Sequence, residues 1–286
     1  SKFNIYMDQQ KIIRIKDNLY DRSVGVVENF YEFKWHKEDV AQKNSSQALA
    51  IDFWGCLKLS PYKTKLINMI FNKKEDNWDI ILEYSDKKIL SEKRSSQIDV
   101  LIESEHFVII IESKFTEKDG GGCSQVKKTT HFLVQCNGDY IEQTNPVNKK
   151  IAKCSLTGKG IKYWDYINSL TEFDKNDDYS PCPFKKGEFQ WMRNICFAEA
   201  YANSKQKKSE SYLVYFKSDK CPISKKVEND TYLGELKGKI KNHHAFKPLS
   251  YNELLDKCII YLDFDSNEKQ IWIELKDWMY NKEKLI

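Results

Sequence analysis

The spacing of hydrophobic and polar residues changes twice along the chain. Before about residue 75 it is helical. "SSQALAIDFWGCLKL" puts Ala48, Ile51 or Phe53, and Cys56 or Leu57 on one stripe, with Ser45 or Asn44 placed as the N-cap. The preceding "VGVVENFYEFKWHKEDVAQ" has nearly the same spacing, and Pro61 opens "PYKTKLINMIFNK" where a missing amide hydrogen costs least. From Trp78 the pattern shifts to short runs of β-branched and aromatic residues, "WDIILEY", "SQIDVLIES" and "HFVIIIESKF". These predict a three-stranded meander. The link from Glu103 to His106 is short enough that the second and third strands should pair as an antiparallel hairpin.

Beyond the meander, "EKDGGGCSQ" reads as a flexible loop, a close backbone approach being the other use for three glycines. Residues 124–175 read as helix with loops. "GEFQWMRNICFAEAYANSK" is an amphipathic helix with Phe189, Met192 or Arg193, Cys196 and Ala200 on one face, and "SYLVYF" is a further strand. The remainder is helical again, with Ser250 and Glu253 forming a capping box before "YNELLDKCIIY". The pattern predicts one α/β (α+β) domain over 1–286, with a core at about 40–217. A helical N-terminal extension (1–39) and a helical C-terminal segment (218–286) complete it.

Composition narrows the class. Hydrophobic residues at 41% and aromatics at 13% of 286 residues supply a packed core, which excludes a disordered chain. A net charge of +4 is too mild to demand a nucleic-acid partner through bulk electrostatics. No run is long enough to span a membrane and the N-terminus lacks a secretory pattern, so a cytoplasmic protein with no membrane partner is expected. The eight cysteines include no C-x-x-C pair and read as reduced cytosolic thiols. A metal cluster from distant positions such as Cys123, Cys136, Cys154 and Cys182 is the alternative, though nothing in their spacing selects it. His36, His106, His131 and the pair His243-His244 form no ligand pattern.

Candidate chemistry lies at the end of the third strand. Alternation puts Glu112 and Lys114 on one face and turns Ser113 to the other. A tight turn at 104–105 places Asp99 opposite about residue 110, on the same face as Glu112. Two carboxylates on an apolar sheet repel unless a cation lies between them. Mg²⁺ or Mn²⁺ fits, with Asp99, Glu112 and the Ser113 carbonyl as ligands. Lys114 would orient a water and help deprotonate it for in-line attack on phosphorus. A solvated surface ion pair is the plainer reading of the same residues.

Asp99, the "ESK" of 112–114 and the helix–meander–helix–strand order together resemble the PD-(D/E)XK nuclease superfamily, with Ile98 in place of its proline. The resemblance implies a restriction-endonuclease-like core, a mixed four-stranded sheet flanked by helices. A closer resemblance, to a bacterial family of type II-like restriction endonucleases, rests on several further matches. These are Glu83-Tyr84, Arg94 and Ser96 before Asp99, Phe115-Thr116-Glu117 after Lys114, Ser45-Ser46-Gln47, and Gln190 with Arg193-Asn194.

That resemblance implies roles for outlying residues. Glu83 would be an added metal ligand, unless it pairs with Arg94 or a lysine. Gln47 would reach a metal-bound water or the scissile phosphate, unless it stays on the helix surface. Gln190 would join the catalytic set at a helix start whose amides and dipole favour an anion. Arg193 and Arg94 would contact nucleic acid, and Glu117 reads as plain loop. The implied activity is a Mg²⁺- or Mn²⁺-dependent endonuclease on double-stranded DNA, in restriction or other defence, with a homodimer favoured if both strands are cut at one place. An exonuclease or structure-specific repair nuclease would use the same site, and a non-cleaving nucleic-acid-binding module is the alternative from another class.

Overall fold

The computed structural model describes residues 13–27, 40–93, 95–128, 133–241 and 246–286. At its centre is a five-stranded mixed sheet of β1 (Asp79–Asp86), β2 (Ser96–Glu103), β3 (Phe107–Lys114), β4 (Lys208–Tyr215) and β5 (Lys247–Ser250), which neighbour one another in that order. β1, β2 and β3 form the antiparallel meander, and β3, β4 and β5 pair in parallel. The α+β architecture matches the expected one, with an extra edge strand. β5 escapes the sequence pattern because it is four residues long and contains Pro248, which an edge tolerates and a central strand does not.

Helices cover both faces. α1 (Ser46–Leu59), α2 (Lys63–Phe71), α7 (Tyr251–Tyr261) and α8 (Ser266–Lys284) enclose one core. The other lies under α3 (Tyr163–Leu170), α4 (Phe189–Lys205), α5 (Pro222–Val227) and α6 (Asp230–Lys239). β3 shows why its sequence is an unbroken apolar run: Ile109 and Ile111 enter the first core while Val108 and Ile110 enter the second. α4 is the crossover that the parallel pair β3–β4 requires, and it ends at Gln206 in the left-handed conformation, φ 57°.

Local signals fix the helix ends. The Ser45 hydroxyl accepts from the Ala48 amide at 3.1 Å, and the Ser250 hydroxyl accepts from the Glu253 amide at 3.2 Å. α1 is buried from Ala48 through Leu57 and so has no single apolar stripe; it is a core helix enclosed all round. Pro61 lies before α2, which starts at Lys63 after Tyr62. Most of the helix expected over 24–42 falls outside the described residues. Among those residues no helix is long and apolar enough to cross a membrane.

A buried polar cluster ties the N-terminal segment to α8. Asp52 is fully buried on α1 and accepts from the Tyr20 amide (2.7 Å), Ser23 Oγ (2.9 Å), Trp278 Nε1 (3.0 Å) and Lys282 Nζ (2.6 Å). Removing one partner of a buried ion pair leaves the other charge without compensation. Lys282→Met is therefore expected to cost about 3–5 kcal/mol, read as a lower urea midpoint at unchanged slope.

Candidate active site

The hairpin register differs from the sequence expectation by two residues. Val100 pairs with Ile111, and the turn closes with the Ser104 amide donating to the Phe107 carbonyl at 3.0 Å. Asp99 thus falls opposite Glu112 instead of residue 110. A two-residue shift preserves the face, so Asp99 and Glu112 still converge. The Asp99 carboxylate accepts from the Ser113 amide at 2.7 Å.

Glu83 joins them through a break in the β1–β2 ladder. Leu82 pairs with Val100 and Tyr84 with Ile98, while Glu83 between them adopts φ 52°. A non-glycine residue in that region costs of order 1–3 kcal/mol and persists only where its surroundings hold it. Here the kink turns a buried carboxylate into a cleft of about 430 Å³ shared with Asp99, Glu112, Lys114, Gln47, Gln190 and Arg193. The cleft thus gathers every predicted site residue except Ser113, which bounds it through its amide, and Arg94, which lies outside the described residues.

Glu112 is the best-held of the acids. Its Oε1 accepts from Lys114 Nζ at 2.6 Å, its Oε2 accepts from Asn194 Nδ2 at 2.6 Å, and the Arg193 guanidinium is 3.7 Å from Oε2. Burial alone would raise its pKa, but Lys114 first, then Arg193 and Asn194, hold it below the usual carboxylate value. Burial also disfavours the Lys114 ammonium, yet Glu112, Glu117 and Asp99 together raise its pKa above that of an ordinary lysine. Lys114 Nζ lies 2.6 Å from Glu112 Oε1 and 3.9 Å from Glu117, so its ammonium is held among the cleft's acids.

The other two acids behave oppositely. Burial, then the charge of Glu112, pushes Asp99 up to about 7 against the pull of Lys114 and the Ser113 amide. Burial, then the charge of Asp99, pushes Glu83 up to about 8, although the Gln47 amide favours its ionised form. Oε1 of Glu83 has no hydrogen-bond partner among the described residues. Among the described residues, Lys114 and Arg193 are the cations lining the cleft with three buried carboxylates. The donor set is all oxygen, so it fits a hard divalent cation. Among the described residues no group of three acid, imidazole or thiol side chains is already drawn into a metal cage.

The helix starts are used differently from expectation. The amides of Phe189 and Gln190 are taken by the carbonyls of Gly121 (3.4 Å) and Gly120 (2.9 Å), so only the Gln190 side chain faces the cleft. This also settles the glycine run: a Cβ on Gly120 would come within 2.7 Å of the Trp191 ring, so Gly120 marks a close approach as well as a loop. Arg193 reaches back to the Gln97 carbonyl at 3.3 Å as well as toward Glu112. The Ser113 hydroxyl turns away from the cleft to the Ser46 carbonyl (3.0 Å) and the Tyr251 hydroxyl (2.8 Å).

Two contributors carried no role in the sequence reading. Glu117, expected as plain loop, lines the cleft. It accepts from the Ser46 hydroxyl at 2.6 Å and the Phe115 amide at 2.8 Å, and lies 3.9 Å from Lys114. Asn194 is buried at 1% exposure and orients Glu112. Its place one helical turn after Gln190, on the same face of α4, was the available signal.

A mixed sheet between helical layers, with acids on three adjacent strands and a lysine two residues beyond one of them, defines a restriction-endonuclease-like protein. The chain belongs to the family described as Restriction Endonuclease associating with ARP, which matches residues 14–275. No curated protein and no solved structure gives a significant match.

Proposed function

We propose that the protein is a divalent-metal-dependent endonuclease that hydrolyses phosphodiester bonds of double-stranded DNA, in restriction or another defence against foreign DNA. The observation that carries this is the cleft acid set: the buried carboxylates of Glu83, Asp99 and Glu112 line one cleft, with Lys114 Nζ 2.6 Å from Glu112. Glu83, Asp99 and Glu112 would hold Mg²⁺ or Mn²⁺, which when bound neutralises charge on the phosphoryl oxygens and acidifies a water.

The chain's own groups supply the rest. The Lys114 ammonium, fixed by Glu112 and lying 5.9 Å from the Trp191 ring centroid, presents positive charge to the phosphate. Gln47 and Gln190 line the two helix-borne walls of the cleft, where their amides can donate to phosphate oxygens. Arg193 adds a cation at 17% side-chain exposure, and Arg94 is assigned to the nucleic-acid contact on its sequence position. Severing both strands at one place calls for two such sites, hence a homodimer on DNA.

A supercoiled plasmid tests the activity. With Mg²⁺ or Mn²⁺ it should be nicked and then linearised, with no reaction in EDTA. Degradation confined to linear DNA would replace the endonuclease with an exonuclease, and binding without cleavage under either metal would reduce the site to a recognition surface.

A further inference from the structure

Eight free cysteines divide into two groups in the fold. Cys56, Cys196, Cys221 and Cys258 are buried in the hydrophobic cores, where cysteine behaves as a small apolar residue. Cys123, Cys136, Cys154 and Cys182, spread along the segment between β3 and α4, all line one small cavity of about 30 Å³. The same cavity is rimmed by Lys153 and Lys185, and Lys159 lies close to Cys123 and Cys154.

The Cys136 sulfur accepts from the Gly138 amide at 3.4 Å and from the Gln143 side chain at 3.5 Å. A neutral thiol gains little from such donors, whereas a metal-bound thiolate is stabilised and oriented by them. The lysines at the rim offset the excess negative charge that four thiolates bring to a divalent ion.

We propose that Cys123, Cys136, Cys154 and Cys182 form a structural zinc site. Four soft thiolates make a closed tetrahedral set with no open position for chemistry, which is what structural Zn²⁺ takes. The cavity they share, about 30 Å³, has room for a single ion. No three of these thiols yet stand around a common point, so the site closes by side-chain rotation toward the cavity they share. Binding releases the thiol protons to solvent.

The segment has reason to need a cross-link. Among the described residues its regular structure is the 3-10 turn Ser124–Val126, a two-residue ribbon (Gln143–Thr144 with Ile151–Ala152), the one-turn helix Ser155–Gly158 and α3. Zinc would fasten to one another the loops that lead into α4. The Cys123 amide donates to the Lys185 carbonyl at 3.2 Å, Gly120 to Gly187 at 2.8 Å, and Cys182 to Gly138 at 3.0 Å. These bonds set the entry into α4, and through it Gln190, Arg193 and Asn194.

Metal analysis of the full chain, equilibrated with buffered zinc and desalted, tests the site. About one zinc per chain is expected, falling at least about fivefold in Cys136→Ser and Cys182→Ser and unchanged in the core control Cys258→Ala. Should the serine variants fail to fold, the parent chain still decides. Chelation should expose the four thiols to a thiol reagent, readdition of zinc should protect them, and cobalt should give the visible bands of tetrahedral thiolate coordination. A parent chain without metal, zinc retained by both folded variants, stoichiometric iron, or a disulfide among these cysteines would each overturn the proposal.

Discussion

Asp99→Asn is expected to abolish plasmid cleavage while raising the melting temperature. Asparagine keeps the shape of the side chain and can still face the Ser113 amide region, but it removes the charge that Glu112 and Glu83 repel. Loss of one charged group at a phosphoryl-transfer site costs about 10²–10³ in rate or more. Relief of a buried like-charge contact works the other way on folding. A gain of about 1 kcal/mol would raise the melting point of a domain this size by roughly 2–4 °C. The opposed changes are what make the test sharp, because a variant that merely misfolds loses both. Lys114→Ala should lose activity to a similar degree, but with lower stability, since it leaves the buried Glu112 without its 2.6 Å partner. Cleavage by Asp99→Asn at the parent rate would remove Asp99 from the site.

The constellation was legible where it depends on parity and obscure where it depends on the path of the chain. β3 announces itself as an apolar run buried on both faces, and alternation alone places Glu112 and Lys114 together. Asp99 followed from the hairpin even though its partner was set two residues off, because an even shift leaves the face unchanged. Glu83 could be proposed from resemblance, but nothing in "ILEYS" reveals that φ turns positive there to aim the carboxylate inward. Glu117 was passed over because a turn folds it back onto Ser46, more than 70 positions away by chain number. Cys123, Cys136, Cys154 and Cys182 could be named as a set, but nothing in their spacing selected it. Their neighbourhood is set by loop contacts such as Cys182 to Gly138, not by any periodic spacing.

The stability of the protein should fall as pH rises through neutrality in EDTA, and a divalent ion should reverse the fall. Asp99 and Glu83 have folded values of about 7 and about 8 against ordinary values of 3.8 and 4.5, so the folded state binds protons more tightly than the unfolded chain. Their contribution is complete below the ordinary values and is lost as pH climbs from about 4 to about 8. Glu112 acts in the opposite sense. Its lowered pKa contributes stability above the ordinary value that is lost as pH falls below it. The cleft as a whole therefore favours a mildly acidic optimum. Lys114, which faces these acids, has its pKa raised further and keeps its charge in this interval, and Gln47 and the Ser113 amide carry none. A divalent cation competes with protons for the same oxygens, so its stabilising effect should grow with pH, reaching about 2.7 kcal/mol at a hundredfold excess over its dissociation constant. Melting temperatures from pH 5 to about 8.5, with EDTA and with Mn²⁺, measure both slopes, and Asp99→Asn should flatten each. If the metal stabilised the parent equally at both ends of that range, the bound ion would not be replacing protons on Asp99 and Glu83.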